Sequence, residues 1–291
     1  MAKKLSAPPG TWSSPITPAL VARASRRFGS VQAAGRVLYW SEGRPEEGGR
    51  QVIVRAGADN RPQDMLPPPY SARSRVHEYG GGEFLATDNG AVYFVNDRDQ
   101  QVYRIGATGR IERITNEPRM RFADMAPDTG HGRLIAVAET HTGAAHAQPD
   151  NALVAIGLGD GAVRTLAERK DFYASPRLSP DGALLAFTSW NLPDMPWDSA
   201  ALHVAKIKGD GALSKPQTIA GGKDSSAFQP TWTPDGNLYF TWDKGGWGSL
   251  YRWDGKRVGK VHGEAGSELW RAHWVFGGRC FAIGADGQLA T

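Results

Sequence analysis

The sequence predicts an all-β fold, a β-propeller of four-stranded antiparallel blades, on three observations. One turn phrase recurs as Met125-Ala126-Pro127-Asp128, Leu178-Ser179-Pro180-Asp181-Gly182 and Trp232-Thr233-Pro234-Asp235-Gly236. The copies are 53 and 54 positions apart, a spacing close to that of propeller blades. Each copy stands between an apolar strand end and a second run of aliphatic and aromatic residues, and a β-sandwich with coincidental turns leaves that shared placement unexplained.

Each element has a physical reason. In the turn, Pro presets φ, Asp satisfies local backbone donors and Gly takes the positive φ that ends it. The second strands, Leu134 to Glu139, Leu184 to Trp190 and Leu238 to Trp242, are almost continuously apolar, as expected when both faces of a sheet are covered. Third strands follow at Gln101 to Arg104, Ala152 to Ala155, Ala201 to Val204 and Ser249 to Trp253, and more polar fourth strands at Arg110 to Ile114 and Val163 to Leu166. Weaker copies start at Val31, Phe84 and Trp274, so the steps along the chain are 53, 41, 53, 54 and 42. Six units result: about five complete blades and part of a sixth, the last with strands Ala272 to Phe276 and Arg279 to Ile283. Residues 1–30 read as an N-terminal extension with a short helix over Pro18 to Arg27, and 31–291 as the incomplete propeller.

Composition narrows the classes. Apolar runs stop at about five residues where a membrane helix needs about twenty, and the basic start runs into Pro8 and Pro9 without the apolar stretch of a secretory signal; a cytoplasmic protein without membrane contact is the expectation. The single cysteine, Cys280, allows no internal disulfide and reads as a buried strand thiol. The net charge of +4 comes from scattered residues, with Arg23, Arg26 and Arg27 the densest group, so no nucleic-acid partner is expected.

The phrase Arg75-Val76-His77-Glu78-Tyr79-Gly80-Gly81-Gly82 resembles the propeller of the prolyl oligopeptidase family of serine peptidases. Asp171 to Gly182, Met195-Pro196-Trp197-Asp198 and Phe228-Gln229-Pro230 agree with it. The nearest likeness is to the acylaminoacyl-peptidase and dipeptidyl-aminopeptidase-like branch. The resemblance implies an α/β-hydrolase domain after the propeller, with short peptides as ligands and the propeller gating their access. No serine here sits in Gly-x-Ser-x-Gly, so the expectation is a non-catalytic propeller portion with the hydrolase domain absent; a free-standing binding scaffold is the alternative.

Arg75, His77, Glu78 and Tyr79 place four chemistries within five positions. If this loop enters the central opening, Glu78 holds a peptide amino terminus and Arg75 a carbonyl or carboxylate; otherwise Arg75 and Glu78 pair within the propeller while the glycines let the inner strand pack near the axis. Trp197 either lines a substrate passage or hydrolase contact, or caps a neighbouring blade. His141 and His146 lack a third ligand, and Gly80 to Gly82 lack the Lys-Ser/Thr of a phosphate loop, so no metal or cofactor is expected. Asp97, Arg98 and Asp99 read as a charged hairpin turn.

Overall fold

The computed structural model describes the chain except residues 1–5, 9, 12, 22–24, 58, 60, 144–146, 264–265 and 285–286. Five four-stranded antiparallel sheets follow one another. After a single helical turn α1 (Pro18–Val21), blade one is β1 (Arg27–Ala34), β2 (Val37–Arg44), β3 (Arg50–Ala56) and β4 (Pro62–Asp64). Blade two is β5 (Phe84–Ala86), β6 (Val92–Val95), β7 (Val102–Ile105) and β8 (Ile111–Arg113). Blade three is β9 (Met120–Asp128), β10 (Arg133–Thr140), β11 (Asp150–Gly157) and β12 (Val163–Ala167). Blade four is β13 (Phe172–Leu178), β14 (Leu184–Trp190), then the turn α2 (Pro196–Ser199), β15 (Ala201–Lys206) and β16 (Gln217–Ala220). Blade five is β17 (Ala227–Trp232), β18 (Leu238–Trp242), β19 (Ser249–Trp253) and β20 (Val258–His262). A two-stranded sixth sheet joins β21 (Ala282–Ile283) to β22 (Leu289–Ala290).

Apolar layers lie between successive blades, which is why the second strands are apolar on both sides. Ile53 and Phe94 belong to the layer between blades one and two, and Val95, Phe122 and Leu134 to the next. Ile135, Tyr173 and Leu185 join blades three and four; Ala186, Leu202, Leu238 and Phe240 join four and five. Each of the Leu, Ile, Val and Phe side chains among them contributes about 1.5–3 kcal/mol on burial.

The inner strands of blades three, four and five share a bulge at which the backbone turns left-handed near the axis, and Gly82, just before β5, turns the same way. Gly82, Asp124, Ser175 and Gln229 have φ of 55°, 51°, 55° and 55°, and three of them are residues that rarely adopt it. Two of the side chains stitch blade to blade: Asp124 Oδ2 accepts the Ser175 N–H at 2.8 Å, and Gln229 Oε1 accepts the Cys280 N–H at 2.5 Å.

Three expectations change. The helix does not run from Pro18 to Arg27, because Arg27 and Phe28 already pair with Gly43 and Glu42 in β1; blade one thus begins before residue 31. The basic group forms no helical face either: Arg26 is bound by Glu42 and Glu46, and Arg23 lies outside the described residues. Finally, Ala272 to Phe276 is not a strand of the sixth unit. That segment turns inward, where Gly81 and Phe276 form a parallel bridge, and the sixth unit's first strand is β21. Its counterpart of Trp232 is therefore Ile283, 51 positions on, followed by Gly284-Ala285-Asp286-Gly287. Cys280 precedes β21, half-buried, and burial pushes its thiol pKa up.

Candidate functional site

In an antiparallel meander the strand 1–2 and 3–4 turns lie on one face of the ring. The 2–3 turns and the crossings to the next blade lie on the other. The Pro-Asp-Gly turns therefore occupy one face, while residues 65–83, 191–200 and 266–276 meet on the opposite one, here called the loop face. All five candidate residues, Arg75, His77, Glu78, Tyr79 and Trp197, fall in the first two of these segments.

The left-handed turn His77-Glu78, with φ of 55° and 61°, splits their fates. His77 points inward: its ring packs 5.0 Å from Phe172 and 4.8 Å from Phe276, and Nε2 lies 3.2 Å from Asn151 Oδ1. Burial lowers its pKa to about 4, so the imidazole is neutral near pH 7. Its backbone N–H donates to Glu139 Oε1 at 2.7 Å; burial pushes the Glu139 carboxyl up.

Glu78 points outward, its side chain 82% exposed, with Arg121 Nη1 at 3.1 Å. Arg75 donates to Asp97 Oδ1 at 2.7 Å. Both residues thus pair within the propeller, each with a partner from blade two or three instead of with the other, because the turn between them sends their side chains apart. Asp97 to Asp99 do form the hairpin turn, and Asp99 Oδ2 accepts the Tyr103 hydroxyl at 2.8 Å.

Tyr79 and Trp197 meet through a residue that sequence reasoning used only as a repeat marker. Trp274 lies 5.0 Å from the Tyr79 ring and 4.4 Å from the Trp197 ring. Tyr79 and Trp274 are 58% and 46% exposed, so the row presents aromatic surface to solvent beside Glu78. The bridge that holds it is tight. A Cβ on Gly81 would stand 2.6 Å from the Phe276 carbonyl oxygen, and one on Gly82 would stand 2.8 Å from Asp124 N. The triple glycine thus lets the 266–276 segment dock against the loop.

Two other groupings do not amount to sites. Ser189 Oγ lies 2.8 Å from His203 Nε2, but the other ring nitrogen faces the Thr218 hydroxyl at 3.0 Å instead of a carboxylate, and Ser189 is buried between strands. His141 Nε2 sits 3.2 Å from Glu139 Oε2; His146 lies outside the described residues. Among the described residues no three potential metal ligands converge.

No family model and no curated protein matches the chain. Solved structures do. A puromycin-hydrolyzing peptidase from Mycobacterium tuberculosis is 33% identical over 98% of this chain, with a TM-score of 0.88. A puromycin hydrolase is 32% identical over the same 98%, with a TM-score of 0.89, and a mutant of a puromycin hydrolase complexed with PGG gives 0.90. The chain spans 46% of the length of each. A prolyl endopeptidase at 16% identity and a TM-score of 0.55 shares the fold. With nearly its whole length matched at a third identity, the chain belongs to the prolyl oligopeptidase family, as its β-propeller domain.

Proposed function

We propose that this propeller works with an α/β-hydrolase domain outside these residues, in an enzyme that cleaves amide bonds of small substrates such as puromycin or short peptides. The row Tyr79, Trp274 and Trp197 carries the reading: an exposed aromatic strip on the loop face, built from three separate segments, suits contact with a catalytic domain or a substrate passage. Glu78, exposed beside it, suits a protonated amine. An exposed carboxylate favours a free amino terminus over a blocked one, and so the dipeptidyl-aminopeptidase type over the acylaminoacyl type. His77 and Arg75 set the loop's shape instead of touching substrate. The propeller gates access in this reading, in a reducing cytoplasm.

Glu78→Ala in the full-length protein tests the assignment. The expected outcome is a KM for puromycin raised about tenfold with kcat little changed, the signature of lost uniform binding. Unchanged kinetics would remove Glu78 from the site.

A further inference from the structure

We infer that Glu139 is a positioning residue for the carboxylate of Glu78, with Asn151 as its helper. The inference rests on the reading that Glu78 takes a substrate's amino group. Blade three supplies the observation: Arg121, Glu139 and Asn151 stand directly opposite one another on β9, β10 and β11, so their side chains share one face of the sheet. All three reach the turn that carries Glu78.

The row grips the turn at three points. Glu139 Oε1 accepts the His77 N–H at 2.7 Å. Asn151 Nδ2 donates to the Pro149 carbonyl at 3.3 Å, which leaves Oδ1 to accept from His77 Nε2 at 3.2 Å. Arg121 Nη1 donates to Glu78 Oε1 at 3.1 Å and to the Arg75 carbonyl at 3.3 Å, and so spans the turn. His141 Nε2, 3.2 Å from Glu139 Oε2, steadies the carboxylate from its other side. Glu139 and Asn151 are 2% and 5% exposed, so two buried polar side chains are committed to His77, whose neighbour Glu78 faces solvent.

The turn needs such a hold. His77 and Glu78 both have a left-handed backbone, a conformation that residues with a Cβ seldom adopt and that persists only where the surroundings impose it. Local bonds close the turn, from the Glu78 N–H to the Arg75 carbonyl and from the Gly80 N–H to the Val76 carbonyl, and the blade-three row anchors it to a sheet. Without Glu139 the turn relaxes and the Glu78 carboxylate leaves its place beside the aromatic row. An ammonium then has to order the loop as it binds, and affinity falls. Arg121 engages Glu78 Oε1, and no donor among the described residues reaches Oε2, the oxygen left for the ammonium.

A double-mutant cycle tests it, with puromycin kinetics on the full-length protein and urea unfolding of each variant alongside. Glu139→Ala is expected to raise KM about tenfold with kcat little changed, the same loss as Glu78→Ala. Glu139→Gln, which keeps an acceptor for the His77 N–H, should stay within about threefold of the unmodified protein. Asn151→Ala should raise KM about threefold, and it carries the test if Glu139→Ala does not fold. In the Glu78→Ala background neither change should move KM further. A KM raised by Glu78→Ala but unmoved by Glu139→Ala and Asn151→Ala overturns the inference and leaves the reading of Glu78 standing; reduced stability at constant KM would then make the row purely structural. Effects of Glu78→Ala and Glu139→Ala that multiply to about a hundredfold overturn it as well, because Glu139 would then act other than through Glu78. If Glu78→Ala itself leaves KM unaltered, the amine reading fails and the positioning role fails with it.

Discussion

Phe28 and Phe228 hold the same position in blades one and five. Each is the last paired residue before the inner-strand bulge, Phe28 opposite Glu42 and Phe228 opposite Thr241. Yet Phe28 is 73% exposed and Phe228 is 6% exposed. Phe228 is covered by Trp270 at 5.1 Å and His273 at 3.5 Å, both from the segment that follows blade five. No aromatic neighbour covers Phe28 among the described residues. Further out on that open face of blade one, Arg44 reaches across β3 to Asp64 with bonds of 2.5 and 2.7 Å, and also holds Glu42 and Glu47. The difference teaches that a blade's strand pairing is local, whereas burial of its inner strand belongs to whatever stands beside it.

The sharpest way to break this comparison is truncation of both rings. Phe228→Ala should cost about 3–5 kcal/mol, as for a core aromatic, and Phe28→Ala no more than about 0.5 kcal/mol, read from urea unfolding of the two variants. Similar costs would mean that Phe28 is covered by something beyond the described contacts.

The bulges give the next test. Asp124→Ala removes the acceptor of Arg177 and of the Ser175 N–H and should cost about 3 kcal/mol, because it strands a partly buried cation and an amide. Asp124→Asn keeps an acceptor and should recover part of the loss. A cost for Asp124→Ala below about 1 kcal/mol would show that the stitch between blades three and four is dispensable.

The remaining test is pH. Burial lowers His77 and His203 to about 4 and His273 to about 3. Their unfolded values lie near 6.5, so between those limits the unfolded chain binds more protons and stability falls as pH drops from about 6.5 to 4. Glu139, raised by burial, works in the opposite direction and softens the slope. Blade one's strands contain no histidine, so the acid weakening should arise elsewhere. A urea midpoint constant over this range, or a slope untouched by His77→Gln, would contradict the assignment.

Much of this was legible beforehand. The Pro-Asp-Gly turns, the apolar second strands and the six-unit count need only local chemistry and a period. Arg75, Glu78, Tyr79 and Trp197 stand out in sequence as a dense motif and an aromatic loop. Trp274 was misplaced because an aromatic residue before Gly278 imitates a strand end; the signal that corrects it is Gly284-Ala285-Asp286-Gly287, which restores a step of 51 positions. The bulge residues carried a weaker signal: Asp124, Ser175 and Gln229 are spaced by 51 and 54, but differ in type because the position demands a backbone conformation and a hydrogen-bonding reach more than a particular side chain.

By itself, then, the sequence determined the repeat, the turns and the family, since these depend on residues a few positions apart. Only the tertiary structure decided that Arg75 and Glu78 part company, that His77 turns inward, and that Tyr79, Trp274 and Trp197 form one row. Those outcomes depend on which blades stand next to each other around the axis, and residues separated by 50 to 200 positions meet there for reasons no local pattern encodes.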